Sequence, residues 1–272
     1  MVPVDRDKEY DRPVEIADHI YWVGFDEKRS NFHCNPYLVI EGDEAVLIDA
    51  GSRPDFPLVM MKILQTGFSP DKIVALIYQH PDPDLCGSMS NMVDICTNTE
   101  LRILSEPNNN IFLSYYIERN KRHLLKSIDE YDFKFSFGGR ILQFFKTPYA
   151  HNAGSFVTYD KKTKTLFTSD LFGSISRQWD LFLQLNDDCY ACRDYVHCTC
   201  QQGYCLLQDI LEFHKKVIPS EKALKYAMDV IGRLDVQMIA PQHGSILTKK
   251  KDIDLLIERL GTLKGVGIDG IS

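Results

Sequence analysis

No stretch of this chain is apolar over the length needed to cross a bilayer, which excludes a helical membrane-spanning protein. The first residues, Met1-Val2-Pro3-Val4-Asp5-Arg6-Asp7-Lys8, hold no apolar segment of the kind found in a secretory signal. Positive charge is in short supply: 31 Lys and Arg stand against 38 Asp and Glu, a formal net charge of -7. That balance argues against nucleic acid and against an anionic membrane as primary partners. A glycine-rich dinucleotide fingerprint is missing, as are internal repeats, low-complexity tracts and linkers. With 44% hydrophobic and 25% charged residues, the 272 residues (1–272) are expected to form a single cytoplasmic globular domain.

Cysteine is present, and its distribution is uneven. Without a secretory signal, the eight cysteines are not expected to form structural disulfides. Cys34, Cys86 and Cys96 are scattered, whereas Cys189, Cys192, Cys198, Cys200 and Cys205 cluster around His197. Three readings fit the cluster: a structural zinc site, a redox-active loop of reduced thiols, or inert thiols in an insertion. Its irregular spacing matches standard zinc motifs poorly.

The periodicities predict a strand over Ile20–Val23, then a hairpin whose strands 36–40 and 44–49 flank Glu41-Gly42-Asp43. A helix over 55–66 ends before Gly67, and a buried strand covers 73–79. A helix is expected over 108–127. Strands follow at 141–145, 155–159 and 165–168, helices at 203–217 and 220–233, a strand at 236–240 and a helix at 251–262. Ser220 is the expected N-cap of the second of those helices, and the tail 265–270 is expected to fray. Strand block plus helix, then strand block plus helices, predicts an α/β fold of two mixed sheets packed face to face with helices outside.

Four of these strands run directly into candidate metal ligands. Ile73-Val74-Ala75-Leu76-Ile77 leads into Tyr78-Gln79-His80-Pro81-Asp82-Pro83-Asp84-Leu85-Cys86-Gly87. The others lead to His151, Asp170 and His243, each followed within a few residues by a glycine or serine that lets backbone approach closely. Neutral imidazole and carboxylate are the groups that hard and borderline divalent metals take. Singly, each histidine reads as an ordinary surface or core residue. Together His80, Asp82, Asp84, His151, Asp170 and His243 are about what two metals sharing one carboxylate need. Tyr149 and His33 are candidate neighbours of such a site, against ordinary roles as a core tyrosine and a solvated loop histidine. Cys86 reads as a small buried side chain and His214 as an exposed helix residue.

On these residues the chain resembles the metallo-β-lactamase superfamily, from Ile20 to His243 and the final helix. The resemblance implies an αββα sandwich and a structural role for Asp49. Two departures matter. Position 82 is Asp and position 85 is Leu where hydrolases of the superfamily carry His, which makes the ligand set harder and more anionic and favours iron or manganese over zinc. In this the chain is similar to the diiron domain of flavodiiron proteins. Residues 80–88, 151–156 and 241–245 look most like the oxygen-binding diiron proteins that lack a flavodoxin domain.

That resemblance implies two iron ions, one on His80, Asp82 and His151, the other on Asp84 and His243, with Asp170 bridging. Leu85 would leave the second iron open to a diatomic ligand, O2 or NO. The implied role is O2 binding, as a diferric-peroxo type adduct, for oxygen or iron sensing in signalling such as chemotaxis. Slow O2 or NO reduction, making it a diiron oxidoreductase, is the related option. The segment after His243 is too short for a flavodoxin domain, so a separate electron donor or signalling protein is expected, and flavodiiron relatives suggest a homodimer. The alternative is a dinuclear metal-dependent hydrolase of the glyoxalase II or β-lactamase-like type.

Overall fold

The computed structural model describes residues 10–25, 32–176, 178–192, 195 and 205–271. Twelve strands form two sheets among these residues. The first sheet has the order β1 (Val14–Ala17), β2 (Ile20–Trp22), β3 (Tyr37–Glu41), β4 (Glu44–Ile48), β5 (Ile73–Ile77), β6 (Arg102–Ser105) and β7 (Leu125–Ser127). Its first four strands are antiparallel neighbours, and β4 to β7 run parallel. The second sheet has the order β12 (Met238–Ala240), β11 (Thr165–Phe167), β10 (Phe156–Asp160), β9 (Arg140–Lys146) and β8 (Lys134–Phe137). Only its β11–β12 pair is parallel. Both sheets are therefore mixed, as expected.

Strand alternation divides the apolar side chains into three layers. Tyr37, Val39, Val46 and Ile48 point inward from the first sheet and meet Phe144, Phe156 and Phe167 of the second. Leu38, Ala45 and Leu47, one residue out of step, face outward onto α1 (Phe56–Gln65) and, past the single turn α2 (Pro83–Cys86), onto α3 (Met89–Ile95). The short helices α4 (Pro107–Leu113) and α5 (Asp187–Ala191) lie at the edges of the sequence blocks. The outer face of the second sheet is covered by α6 (Leu206–Val217), α7 (Glu221–Ile231) and α8 (Lys250–Gly261). Helix, sheet, sheet, helix is the αββα sandwich. No helix among the described residues is long and apolar enough to cross a membrane.

Local signals behave as their chemistry dictates at several ends. Ser220 Oγ accepts from Ala223 N and caps α7. Gly67 has φ +81 directly after the α1 cap.

Two expectations fail. The helix expected over 108–127 ends at Leu113, and residues 125–127 become β7, paired in parallel with Ile103, Leu104 and Ser105. Its apolar spacing suited a helix, but the open edge of β6 offered hydrogen bonds that local propensity cannot anticipate. The tail is docked rather than frayed: Gly267 N donates to Lys215 O (2.8 Å), Ile268 N to Pro219 O (2.9 Å), and Val266 is fully buried.

Candidate metal centre

The two sheets bring the same ends of their strands together, and the six candidate ligands follow those ends. His80 lies three residues beyond β5, and its approach is fixed by Gln79 N donating to Asp49 Oδ1 (3.1 Å). Asp82 is extended, and Asp84 lies in the first turn of α2. His151 sits in the β9–β10 connection, Asp170 just beyond β11, and His243 just beyond β12. Left-handed backbone concentrates here: Asp49 (φ 51), His151 (φ 99), Ser169 (φ 53) and Gly244 (φ 78) flank or form the ligand positions.

Two groups result. His80, His151 and Asp170 offer ligand atoms that all lie within 4.8 Å of one another, and so do Asp84, His243 and Cys34. Asp82 Oδ2 joins the first group, 2.8 Å from His151 Nε2 and 3.7 Å from His80 Nε2. Asp84 Oδ2 is 3.1 Å from His243 Nε2. Asp170 Oδ1 stands between the groups, 3.7 Å from His80 Nε2 and 3.6 Å from His243 Nε2. That oxygen is buried and has no hydrogen-bond partner. An unpaired buried carboxylate oxygen is costly unless a cation meets it, so the donor set fits a pair of divalent metals. A third cluster, Glu15, Asp18 and His19, is exposed and carries no such signature.

Each imidazole is aimed from behind. His243 Nδ1 donates to His33 O (2.9 Å), and His151 Nδ1 faces Val217 O (3.3 Å). A carbonyl only accepts, so Nδ1 holds the proton and Nε2 faces the site. His80 Nδ1 pairs with Ser169 Oγ at 2.6 Å. Asn152 Nδ2 donates to Asp82 Oδ1 (3.1 Å), which fixes that carboxylate.

Without metal, protons hold these groups together. The hydrogen bond to Asp82 pushes His151 up to about 9. Burial works against charge on His243, but its bonds to Asp84 and Cys34 outweigh it and raise the ring well above an ordinary imidazole. Burial also pushes the Asp82 and Asp84 carboxyls up, and their histidine partners overcome it and hold both below the usual range. Burial, with the Asp170 and Asp84 carboxylates adding to it, raises Asp49 well above that range despite the hydrogen bond from Gln79 N.

Three residues depart from their ordinary readings of a solvated His33, a core Tyr149 and an exposed His214. His33 is buried and stacked on Trp179 at 4.4 Å, not solvated, and it serves the site through its carbonyl. Tyr149 is 59% exposed and is not a core tyrosine. His214 is fully buried: its Nε2 accepts from Phe172 N (2.9 Å) and its Nδ1 donates to Ile210 O (2.7 Å), supporting the turn that carries Asp170. Burial pushes His214 down to about 4, so it is a neutral acceptor. Cys86 is a small buried side chain, as expected.

Of the cysteine cluster, Cys198 and Cys200 lie outside the described residues. Cys189, Cys192 and Cys205 belong to no group of metal-ligating side chains among the described residues, which lends no support to zinc there. Sequence reasoning missed Cys34, Asn35 and Ser169; only the position of Ser169 beside Asp170 offered a local signal.

The family model described as ODP family beta lactamase matches residues 32–244. The type A flavoprotein fprA of Rhodobacter capsulatus is 28% identical over 254 residues, covering 86% of this chain and 52% of that protein. The solved structure of a peroxy diiron species of chemotaxis sensor ODP superposes with a TM-score of 0.72 at 22% identity, covering 95% of this chain and 97% of that one. The flavodiiron protein from Giardia intestinalis gives a TM-score of 0.74 at 18% identity, with coverages of 93% and 60%. At these identities the structures establish the fold. The chain spans about half the length of the curated relatives it matches, 52% and 59% for two of them.

Proposed function

The chain belongs to the ODP family of β-lactamase-fold proteins, and from that premise we propose that it is a non-haem diiron protein that binds O2 and reports oxygen or iron status to a signalling partner. The observation that carries this reading is Asp170 Oδ1, buried and unpartnered between His80 Nε2 and His243 Nε2 at 3.7 and 3.6 Å. His80, Asp82 and His151 would hold one iron, Asp84 and His243 the other, and Asp170 both. Three carboxylates beside three imidazoles make a harder, more anionic set than a histidine-rich one, which suits iron better than zinc. An iron pair held by these residues would, when reduced, supply two electrons to a diatomic ligand.

The chain's own residues set the geometry and exclude water. The carbonyls of His33 and Val217 hold two rings with Nε2 inward. Phe32 covers the His243 ring at a centroid distance of 4.1 Å, and Phe213 approaches it at 6.1 Å. His80, Asp170 and His243 are each at most 4% exposed. Leu85 is buried in the apolar layer beneath α1 and α3 and offers no imidazole. This same feature weakens the hydrolase alternative, whose members carry histidine there. Sensing and slow O2 or NO reduction with an external donor share this site, and curated relatives include proteins named nitric oxide reductase.

The test is optical absorption of anaerobic, Fe(II)-loaded protein before and after O2. A lasting visible charge-transfer band that requires two irons per chain is expected. Tight zinc binding with esterase or thioesterase activity, and no such band, would transfer the case to the hydrolase.

A further inference from the structure

A sulfur atom faces the centre from a segment that the six ligands do not use. Cys34 is 4% exposed, and its Sγ, an Asp84 carboxylate oxygen and a His243 ring nitrogen all lie within 4.8 Å of one another. Metal–sulfur and metal–nitrogen bonds run about 2.3 and 2.0 Å, so one ion with slight inward adjustment reaches all three.

The position of Cys34 is built. On one side, the His33 carbonyl accepts from His243 Nδ1 (2.9 Å). On the other, Asn35 N donates to Gln242 O (2.9 Å), and Asn35 Nδ2 donates to Pro241 O (3.0 Å) and Gly244 O (2.9 Å). Trp22 Nε1 donates to Asn35 Oδ1 (2.8 Å), completing the amide's bonds. Of the residues on either side of Cys34, His33 is thus bound to His243 itself and Asn35 to the residues that flank it. Cys34 cannot retreat from His243 without breaking this set.

One independent observation points to a cation at the same place, and another shows that the place is short of nitrogen donors. Asp170 Oδ1, buried and unpartnered, lies 3.6 Å from His243 Nε2. Leu85 is turned into the apolar layer, so this half of the centre has fewer nitrogen donors than the His80–His151 half. Cys86, by contrast, directs its Sγ to Asp82 O (2.9 Å), away from any such group.

The geometry points to Cys34 as a fourth protein ligand of the second metal position, beside Asp84, His243 and the shared Asp170, its thiolate supplying a donor that Leu85 does not. This assignment rests on the dinuclear reading above. On binding, the thiol proton goes to solvent, a sulfur lone pair forms the metal–sulfur bond, and no electron is transferred. The soft ligand biases the second position toward iron, cobalt or zinc and away from manganese and magnesium.

Anaerobic metal-free protein titrated with Co(II) tests this, because thiolate ligation of cobalt gives a near-ultraviolet charge-transfer band that oxygen and nitrogen ligands do not. Wild type, Cys34→Ser and Cys34→Ala are compared, with Cys86→Ser as control and circular dichroism to check folding. Wild type is expected to bind two cobalt ions at the centre, with the band growing as the second loads. Both Cys34 variants should lose that increment and bind the second ion at least about tenfold more weakly. The Cys189–Cys205 segment is common to all four proteins, so it cancels in the difference spectra. Two tight cobalt ions with identical spectra in wild type and the Cys34 variants would overturn the ligand assignment and leave the dinuclear reading standing. Failure of wild type to bind a second ion would overturn both. Should Cys34→Ser misfold, Cys34→Ala, which adds no polar group to the buried position, carries the comparison.

Discussion

Asp170 and His214 show how single side chains divide the work of the site. Asp170 Oδ1 reaches toward both proposed metal positions, so Asp170→Ala removes the carboxylate placed between His80 and His243. The expected outcome is one tightly bound metal per chain instead of two, read by elemental analysis after gel filtration; retention of two would refute its bridging position. His214 acts from behind, as the acceptor for Phe172 N. Its folded value of about 4 lies below the ordinary 6.5, so the unfolded chain takes up a proton first as pH falls. The stability linked to His214 is whole above pH 6.5 and is lost progressively toward pH 4, by up to about 3 kcal/mol. Urea unfolding at several pH values should show this loss in wild type. It should be smaller in His214→Gln, which keeps an acceptor and does not titrate; parallel pH profiles would rule out His214 as the source.

At the scale of elements, the site is a set of strand ends followed by tight turns. Gly244 illustrates the demand: at φ +78, an added Cβ would fall 2.4 Å from Ser174 Oγ and 2.9 Å from Ser174 N. Its carbonyl also accepts from Asn35 Nδ2 and Trp179 Nε1. Gly244→Ala should therefore displace His243, costing about 1–3 kcal/mol of stability and weakening the second metal-binding step while sparing the first. Gly139→Ala is the control, because its φ of +93 is strained too but nothing lies within 4 Å of the added atom. Equal metal affinities in the two variants would sink the argument. The pattern of a strand leading to a candidate ligand was legible in the sequence because it is local: the two lie a few residues apart at His80, His151, Asp170 and His243, and a small residue soon follows the last three. The rest was hidden because it is made between distant segments. The Cys34–His243 pairing spans the length of the fold, β7 exists only because β6 has an open edge, and His214 is buried by a turn some forty residues earlier in the chain. Phe135 and Phe137 in β8 did carry an alternation that could have been read, buried at every second position.

For the molecule as a whole, two ties join the sheets at opposite ends. At one end, candidate ligands that follow β5 of the first sheet or lie in α2 meet candidate ligands that follow β9, β11 and β12 of the second. At the other, Arg140 opens β9 and Asp160 closes β10, while the His151 connection joins the far ends of the same two strands. Arg140 is fully buried and forms a two-pronged bond with Asp160 (2.9 and 2.7 Å). It also donates to Asp18 O in the β1–β2 turn and to Ile40 O in β3. Burial pushes Asp160 up, and the guanidinium together with the hydrogen bonds from Thr163 outweighs it and keeps the carboxyl below its usual range. Removing one partner of a buried pair leaves the other uncompensated, so Arg140→Met should cost about 3–5 kcal/mol. A metal bound only by the folded state adds about 2.7 kcal/mol when present at 100 times its dissociation constant. If the two ends act independently, that increment is the same in wild type and in Arg140→Met, and metal stoichiometry is unchanged. Urea unfolding of both proteins with and without metal measures the four values. A metal increment that differs between them by more than about 1 kcal/mol would mean that the far end of the sandwich helps to shape the centre.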